Sequence, residues 1–173
     1  GSVQWTGSSD YGMGEVLGVG DMDGDGGEDV LISEVYGENG AGKVSVVSGM
    51  SGNGSVDSLA MAVLQGEDSN ANAGRSLSVG DVNGDGIMDV LVGATGDGGK
   101  GAGYLYLGPI TGNISQADAR FPGEMSGGRM GRGCVLADTD GDGEDEVYVG
   151  DPFKGDTPTA WYGTVYGYHQ STY

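Results

Sequence analysis

The sequence predicts an all-β protein of short antiparallel strands, on three observations: glycine punctuation, apolar runs of period two, and an internal repeat. The 173 residues include 39 glycines and 4 prolines, which fall at recurring places between short Val, Leu, Ile and Tyr runs. Glycine at regular intervals marks tight turns, and alternating apolar residues between them mark strands with one face in a core. The repeat is anchored on Asp21, Asp81 and Asp138, 60 and 57 residues apart.

Each unit begins seven residues before its anchor with Gly14, Gly74 or Gly131. A first strand follows, carrying Leu17 and Val19, Leu77 and Val79, or Cys134 and Leu136 in alternation. The acidic loop comes next, then an apolar triplet (Val30, Leu31, Ile32; Val90, Leu91, Val92; Val147, Tyr148, Val149) that predicts a buried second strand. Third strands are expected at 44–47, 104–107 and 164–168. Fourth strands are expected at 59–65 and 119–121, with 3–5 as the counterpart for the last unit.

Four antiparallel strands per repeat make one blade of a β-propeller. The expected architecture is therefore a single segment over 1–173 with three four-stranded blades, at about 8–66, 67–123 and 124–173. The N-terminal strand, 3–7, would serve as the outer strand of a blade. Three blades are too few to close a ring, so oligomerisation is expected to complete it. A homodimer closing a six-bladed ring is the expected assembly.

The three loops carry the chemistry. They supply Asp21, Asp23, Asp25 and Asp29; Asp81, Asn83, Asp85 and Asp89; and Asp138, Asp140, Asp142 and Glu146, always at positions 1, 3, 5 and 9. Glycines at positions 4 and 6 allow the sharp turn that aims alternate side chains inward. With the carbonyl of position 7 (Gly27, Ile87 or Glu144), this is an oxygen set suited to calcium, about three ions per chain. Magnesium favours stricter octahedral geometry and retained waters, and zinc prefers Cys or His. An EF-hand would need a glutamate at position 12, where this chain has Ile32, Val92 and Val149. Fourteen of the 26 Asp and Glu residues lie in these loops, so three divalent ions would bring the net charge from −19 to about −13.

On these motifs the units resemble FG-GAP repeats, the blades of the integrin α-subunit propeller and its bacterial relatives. The Phe-Gly pair has its counterparts in Met13 and Gly14, Ala73 and Gly74, and Met130 and Gly131. The Gly-Ala-Pro segment has its counterparts at 33–35, 93–95 and 150–152. The resemblance implies a calcium-binding propeller without catalytic activity. It would be an extracellular or cell-surface adhesion or scaffold module that binds a protein or glycan on the face opposite the metal loops. A sugar-binding lectin propeller is the alternative.

Other features point to bland roles. Cys134 sits in the register of Leu17 and Leu77, so a small buried hydrophobe is expected. His169 has no catalytic partner in a recognisable motif. Asn53 to Ser55 and Asn113 to Ser115 fit the glycosylation sequon but are read as hairpin turns. Trp161, Tyr162, Tyr166, Tyr168 and Tyr173 are read as strand packing. The acidic balance excludes a nucleic-acid partner, and no apolar run of 18 residues is present to insert in a membrane. Gly1 and Ser2 read as residues left from expression, so any secretory leader is expected to have been removed.

Overall fold

The structure is a computed structural model that describes residues 2–7, 12–49, 52–157 and 160–169. It is all-β apart from single helical turns, with several antiparallel sheets, consistent with a β-propeller-like fold. In chain order the strands are β1 (Trp5–Thr6), β2 (Met13–Gly20), β3 (Asp29–Glu34), β4 (Lys43–Ser48), β5 (Gly54–Ser55), β6 (Ala60–Gln65), β7 (Ala73–Gly80) and β8 (Asp89–Ala94). Then come β9 (Ala102–Tyr106), β10 (Gly112–Ile114), β11 (Ala119–Pro122), β12 (Gly133–Ala137), β13 (Glu146–Asp151), β14 (Gly155–Thr157), β15 (Ala160–Trp161) and β16 (Thr164–Tyr168). One helical turn, α1 (Val56–Leu59), precedes β6.

The first sheet has the order β10-β6-β4-β3-β2, the second β11-β9-β8-β7, and the third β12-β13-β16. Within each unit the strands run antiparallel in chain order, as the repeat predicts. The third sheet has no fourth strand among the described residues.

The expected hairpin turns around Asn53 and Asn113 are instead short strands that reach across a unit boundary. Gly112–Ile114 pairs in parallel with Ala62, Val63 and Leu64 of the first unit, giving that sheet five strands rather than four. Gly54–Ser55 pairs in parallel with Trp5–Thr6 in the same way. β1 therefore stands to the first unit as β6 stands to the second. α1 replaces the start of the fourth strand expected at 59–65. Its turn lets Val56 and Leu59 cover Ile32 and Val47, together with Trp5 and Met13.

The sheets stack face to face, and the core lies between them. Val90, Val92, Tyr104 and Tyr106 of the second sheet pack on Leu31, Val44, Val46, Ala62 and Leu64 of the first. Val147, Val149, Cys134 and Leu136 of the third pack on Leu91, Leu105 and Phe121 of the second. Burying a side chain of this size removes about 1.5 to 3 kcal/mol worth of apolar surface from water, so these seams dominate the stability of the stack. Tyr168 lies against Phe121 with ring centroids 4.5 Å apart, in keeping with a packing role. The side chain of Trp161 and the whole of Tyr173 lie outside the described residues.

Candidate metal centres and the opposite face

The acidic loops fall between strands one and two of each unit, at one end of the stack. Their hydrogen bonding is nearly the same three times. In the first loop, Asp21 accepts from the N–H groups of Gly24 (2.8 Å) and Gly26 (2.9 Å). Asp23 accepts from Asp25 N–H, Asp25 from Gly27 N–H, and Asp29 from Met22 N–H. In the second loop, Asp81 accepts from Asp85 and Gly86, Asn83 from Asp85, Asp85 from Ile87, and Asp89 from Val82. In the third, Asp138 accepts from Gly141 and Gly143, Asp140 from Asp142, Asp142 from Glu144, and Glu146 from Thr139.

Every predicted ligand side chain is thus held in place by a backbone N–H, and the glycines at positions 4 and 6 make this possible. Gly24 and Gly26 have φ of 78° and 87°, a region that L side chains disfavour. Asp21, Asp23 and Asp29 offer oxygens within 4.8 Å of one another, and so do Asp138, Asp140 and Asp142. In the second loop Asp89 also accepts from Gly108 N–H at 2.8 Å, so both its oxygens are engaged. Burial pushes the Asp89 carboxyl up to about 6, against the two backbone hydrogen bonds from Gly108 and Val82 that lower it. Burial likewise raises Asp29. Carboxylates crowded in one loop, dehydrated at position 9 and more open to solvent elsewhere, suit a hard divalent cation, with Asn83 offering an amide oxygen in the second loop.

The longer Glu146 reaches the same backbone N–H as Asp29 and Asp89. Its extra methylene is taken up by a hydrogen bond from the Thr139 hydroxyl, which also meets Tyr148 Oη at 2.8 Å. The Thr139 hydroxyl is the main cause that lowers the Glu146 carboxyl below its ordinary value.

Three features escaped the sequence. His169 Nε2 lies 3.4 Å from Asp140, 3.8 Å from Asp142 and 3.7 Å from Glu146, bringing an imidazole to the rim of the third loop. Met22 and Val82, at position 2, are fully buried and anchor their loops in the core. Position 7 carries more than a carbonyl: Ile87 leans on Gly24 of the preceding loop, and Glu144 on Gly84. The loops are also joined by backbone bonds, Met88 N–H to Asp21 O at 3.2 Å and Asp145 N–H to Asp81 O at 2.8 Å.

The opposite end is built from the loops between strands two and three and between successive units, which bond to one another. Asn72 N–H donates to Gly40 O, Ala73 N–H to Ala41 O, and Gly96 N–H to Ala71 O. All seven Lys and Arg residues of the chain lie at or near this end: Lys43, Arg75, Lys100, Arg120, Arg129, Arg132 and Lys154. Arg75 bonds Glu15, and Arg120 bonds the buried Asp97, whose carboxyl is raised by burial despite that partner. Half-exposed Tyr36 borders a pocket of about 120 Å³ with Asn72, Arg75, Thr95 and Arg129.

Comparison with known proteins bears on the repeat rather than on its loops. The FG-GAP repeat family matches residues 73–107, the second unit from β7 to the end of β9. Integrin alpha-PS2 of Drosophila melanogaster is 30% identical over 171 residues, which is 92% of this chain and 12% of that protein. Phosphatidylinositol-glycan-specific phospholipase D is 32% identical over 104 residues in Homo sapiens and 31% in Rattus norvegicus, covering 57% of this chain and 12% of each protein. The chain thus spans about an eighth of the length of these relatives. It carries an FG-GAP repeat at 73–107 and is similar to an integrin α-subunit over most of its length.

Proposed function

We propose that this chain is a non-catalytic, calcium-stabilised propeller module that binds another macromolecule through the face opposite its metal loops. The observation that carries this reading is the placement of charge: all seven Lys and Arg residues gather at one end, several paired with acids there, and 14 of the 26 acids sit in the loops at the other. The loops hold the stack together through bound cations, and the far face, with Tyr36, Arg75 and Arg129, presents mixed polar and aromatic groups to a protein partner.

When bound, calcium neutralises the carboxylates that otherwise repel one another in each loop. Asp21, Asp81 and Asp138 at position 1 and Asp29, Asp89 and Glu146 at position 9 would hold it. Extracellular modules bind calcium with Kd of about 0.1 to 1 mM, which fits a cell-surface or extracellular setting. No helix among the described residues is long and apolar enough to cross a membrane.

Thermal melts with calcium and with chelator test the first half. At the tight end of that range, a few millimolar calcium adds roughly 2 kcal/mol per site by mass action, so Tm rises with calcium and falls with chelator. An unchanged melt overturns the metal assignment. For the second half, Arg75→Glu with Arg129→Glu should abolish capture of a partner by the immobilised protein while leaving the calcium-dependent melt intact.

A further inference from the structure

The third acidic loop departs from the other two, and the fold brings its departures together. At position 9 it carries Glu146 where the first two loops carry Asp29 and Asp89. Across the ladder from position 9, at the end of the third strand, stands a different residue in each unit. Ser48 faces Asp29. Leu107 is one residue past Tyr106, which faces Val90, and His169 is one residue past Tyr168, which faces Val147. The single histidine of the chain is therefore the cross-strand neighbour of the one position 9 that is a glutamate.

Three carboxylates around the imidazole divide their oxygens in the same way. Asp140 receives the Asp142 N–H on Oδ1 at 3.2 Å and turns Oδ2 to His169 Nε2 at 3.4 Å. Asp142 receives the Glu144 N–H on Oδ1 at 2.9 Å, and its Oδ2 lies 3.8 Å from Nε2. Glu146 receives both the N–H and the hydroxyl of Thr139 on Oε2, and its Oε1 lies 3.7 Å from Nε2. One oxygen of each is fixed by the loop, and the other is directed at the imidazole. A carboxylate fixed by a second partner is the usual support of a metal ligand. Glu146 is buried, while His169 is half-exposed and leaves the group open to an arriving ion.

The third loop thus offers two overlapping donor sets that share Asp140. Asp138, Asp140 and Asp142 supply oxygens alone, as Asp21, Asp23 and Asp29 do in the first loop, whereas Asp140, Glu146 and His169 include a nitrogen. Within each set the donor atoms lie within 4.8 Å of one another. Calcium takes about six to eight oxygens, whereas zinc takes four ligands, with imidazole nitrogen or carboxylate oxygen at about 2.0 to 2.2 Å. A tetrahedron of such bonds puts its donors about 3.3 to 3.6 Å apart. The imidazole stands 3.4 Å from Asp140 and 3.7 Å from Glu146, close to that spacing. We propose that the third loop and His169 form a zinc site, with Asp140, Glu146 and His169 as ligands and Asp142 as the fourth. The ring nitrogen makes this loop selective for zinc over calcium, a selectivity that the first two loops, without an imidazole, do not share. Four protein ligands close the coordination sphere, so the ion is structural. It clamps the end of β16 to the loop that leads into β13, the strand with which β16 pairs.

This inference rests on the reading of the acidic loops as cation sites and changes the ion assigned to one of them. Without zinc, the all-oxygen set of the third loop stays available to calcium. Zinc chloride titrated calorimetrically into the calcium-loaded protein should show one zinc bound per chain and one calcium displaced. Thr139→Val removes a hydroxyl that touches Glu146 but not the ion, and it should weaken zinc about tenfold, a usual effect of losing such a support. His169→Ala should weaken zinc further, yet keep its calcium count and its far-ultraviolet circular dichroism. Glu146→Asp, which draws the carboxylate back by one methylene, should also weaken zinc. Because the chain has one histidine, its ring protons are unambiguous by nuclear magnetic resonance, and one equivalent of zinc should shift them with calcium already in place. Zinc bound equally at all three loops, zinc affinity indifferent to His169→Ala or Glu146→Asp, or imidazole signals that do not move would overturn the proposal and leave His169 a counter-charge to the loop. Calcium titration of the same samples separates the failures: a chain that binds calcium but shows no histidine-dependent zinc defeats this site alone, whereas a chain that binds neither ion defeats the reading of the loops as well.

Discussion

The backbone N–H of Met88 donates to the carbonyl of Asp21 at 3.2 Å, tying position 8 of the second loop to position 1 of the first. Asp145 and Asp81 repeat the bond one unit later at 2.8 Å. Ordering one loop therefore helps to order its neighbour. Asp21→Ala removes the carboxylate that receives the Gly24 and Gly26 N–H groups. Isothermal titration should then show two calcium ions instead of three, with the second loop weakened several-fold. Asp25→Ala, which lies off this connection, should cost the first ion alone. Equal effects of the two variants on the second loop would show that the loops act independently.

Met22 contributes no ligand atom from its side chain, yet that side chain is fully buried between the first and second sheets. Met22→Ala should destabilise the fold by about 2 to 5 kcal/mol, the usual cost of a large-to-small change in a core. The number of calcium ions bound should stay the same. Urea unfolding and calcium titration on one preparation distinguish anchoring from ligation.

Gly42 and Gly52 share a left-handed backbone, with φ of 77° and 93°, but differ in their surroundings. A Cβ on Gly42 would overlap the backbone of Ala73, whereas one on Gly52 would meet nothing within 4 Å. Gly52→Ala should cost about 1 to 2 kcal/mol for conformation alone. Gly42→Ala should cost clearly more, because the groove between units must open. Similar midpoints in urea for the two variants would mean that the close approach carries no energy.

Burial pushes the Cys134 thiol up to about 11. Its unfolded counterpart loses its proton near 9, so above that pH the native state binds more protons than the unfolded state. Stability on this account is full below about pH 9 and declines by about 1.4 kcal/mol per pH unit until the folded thiol ionises. Cys134→Ala should lack this component, so the gap between the two proteins should shrink or reverse between pH 9 and 11. Parallel stability profiles would contradict it. Native Cys134 should also resist alkylation at pH 8.

The repeat made most of the fold legible. Period-two alternation, apolar triplets and glycine spacing located the first three strands of each unit, because the first strands are half-buried, β3, β4, β8 and β9 are almost wholly buried, and all are bounded by obligatory turns. The short cross-boundary strands were not legible. Gly54–Ser55 and Gly112–Ile114 have turn-like composition, and they become strands only because a neighbouring unit offers an edge. The metal loops could be read because oxygen donors and glycines sit at fixed places. His169 could not, since its nearness to Asp140 arises from how β16 returns beside β13 rather than from spacing along the chain. The anchoring of Met22 and Val82 was hidden for a related reason. Their burial depends on the next unit in the stack, whereas Thr139, at the same position in the last loop, is exposed.

The parallel pairing of Gly112–Ile114 with β6 has a consequence for how the chain folds as it is made. The first sheet does not have its full complement of strands until residue 114 has emerged, about 50 residues after β6 itself. The outer edge of the first unit thus waits, unpaired, for a piece of the second. During synthesis the growing chain carries this incomplete edge until the second unit is nearly made, and such contacts between distant residues form slowly. Translation order and assembly order are thereby linked, with the second unit sealing the first.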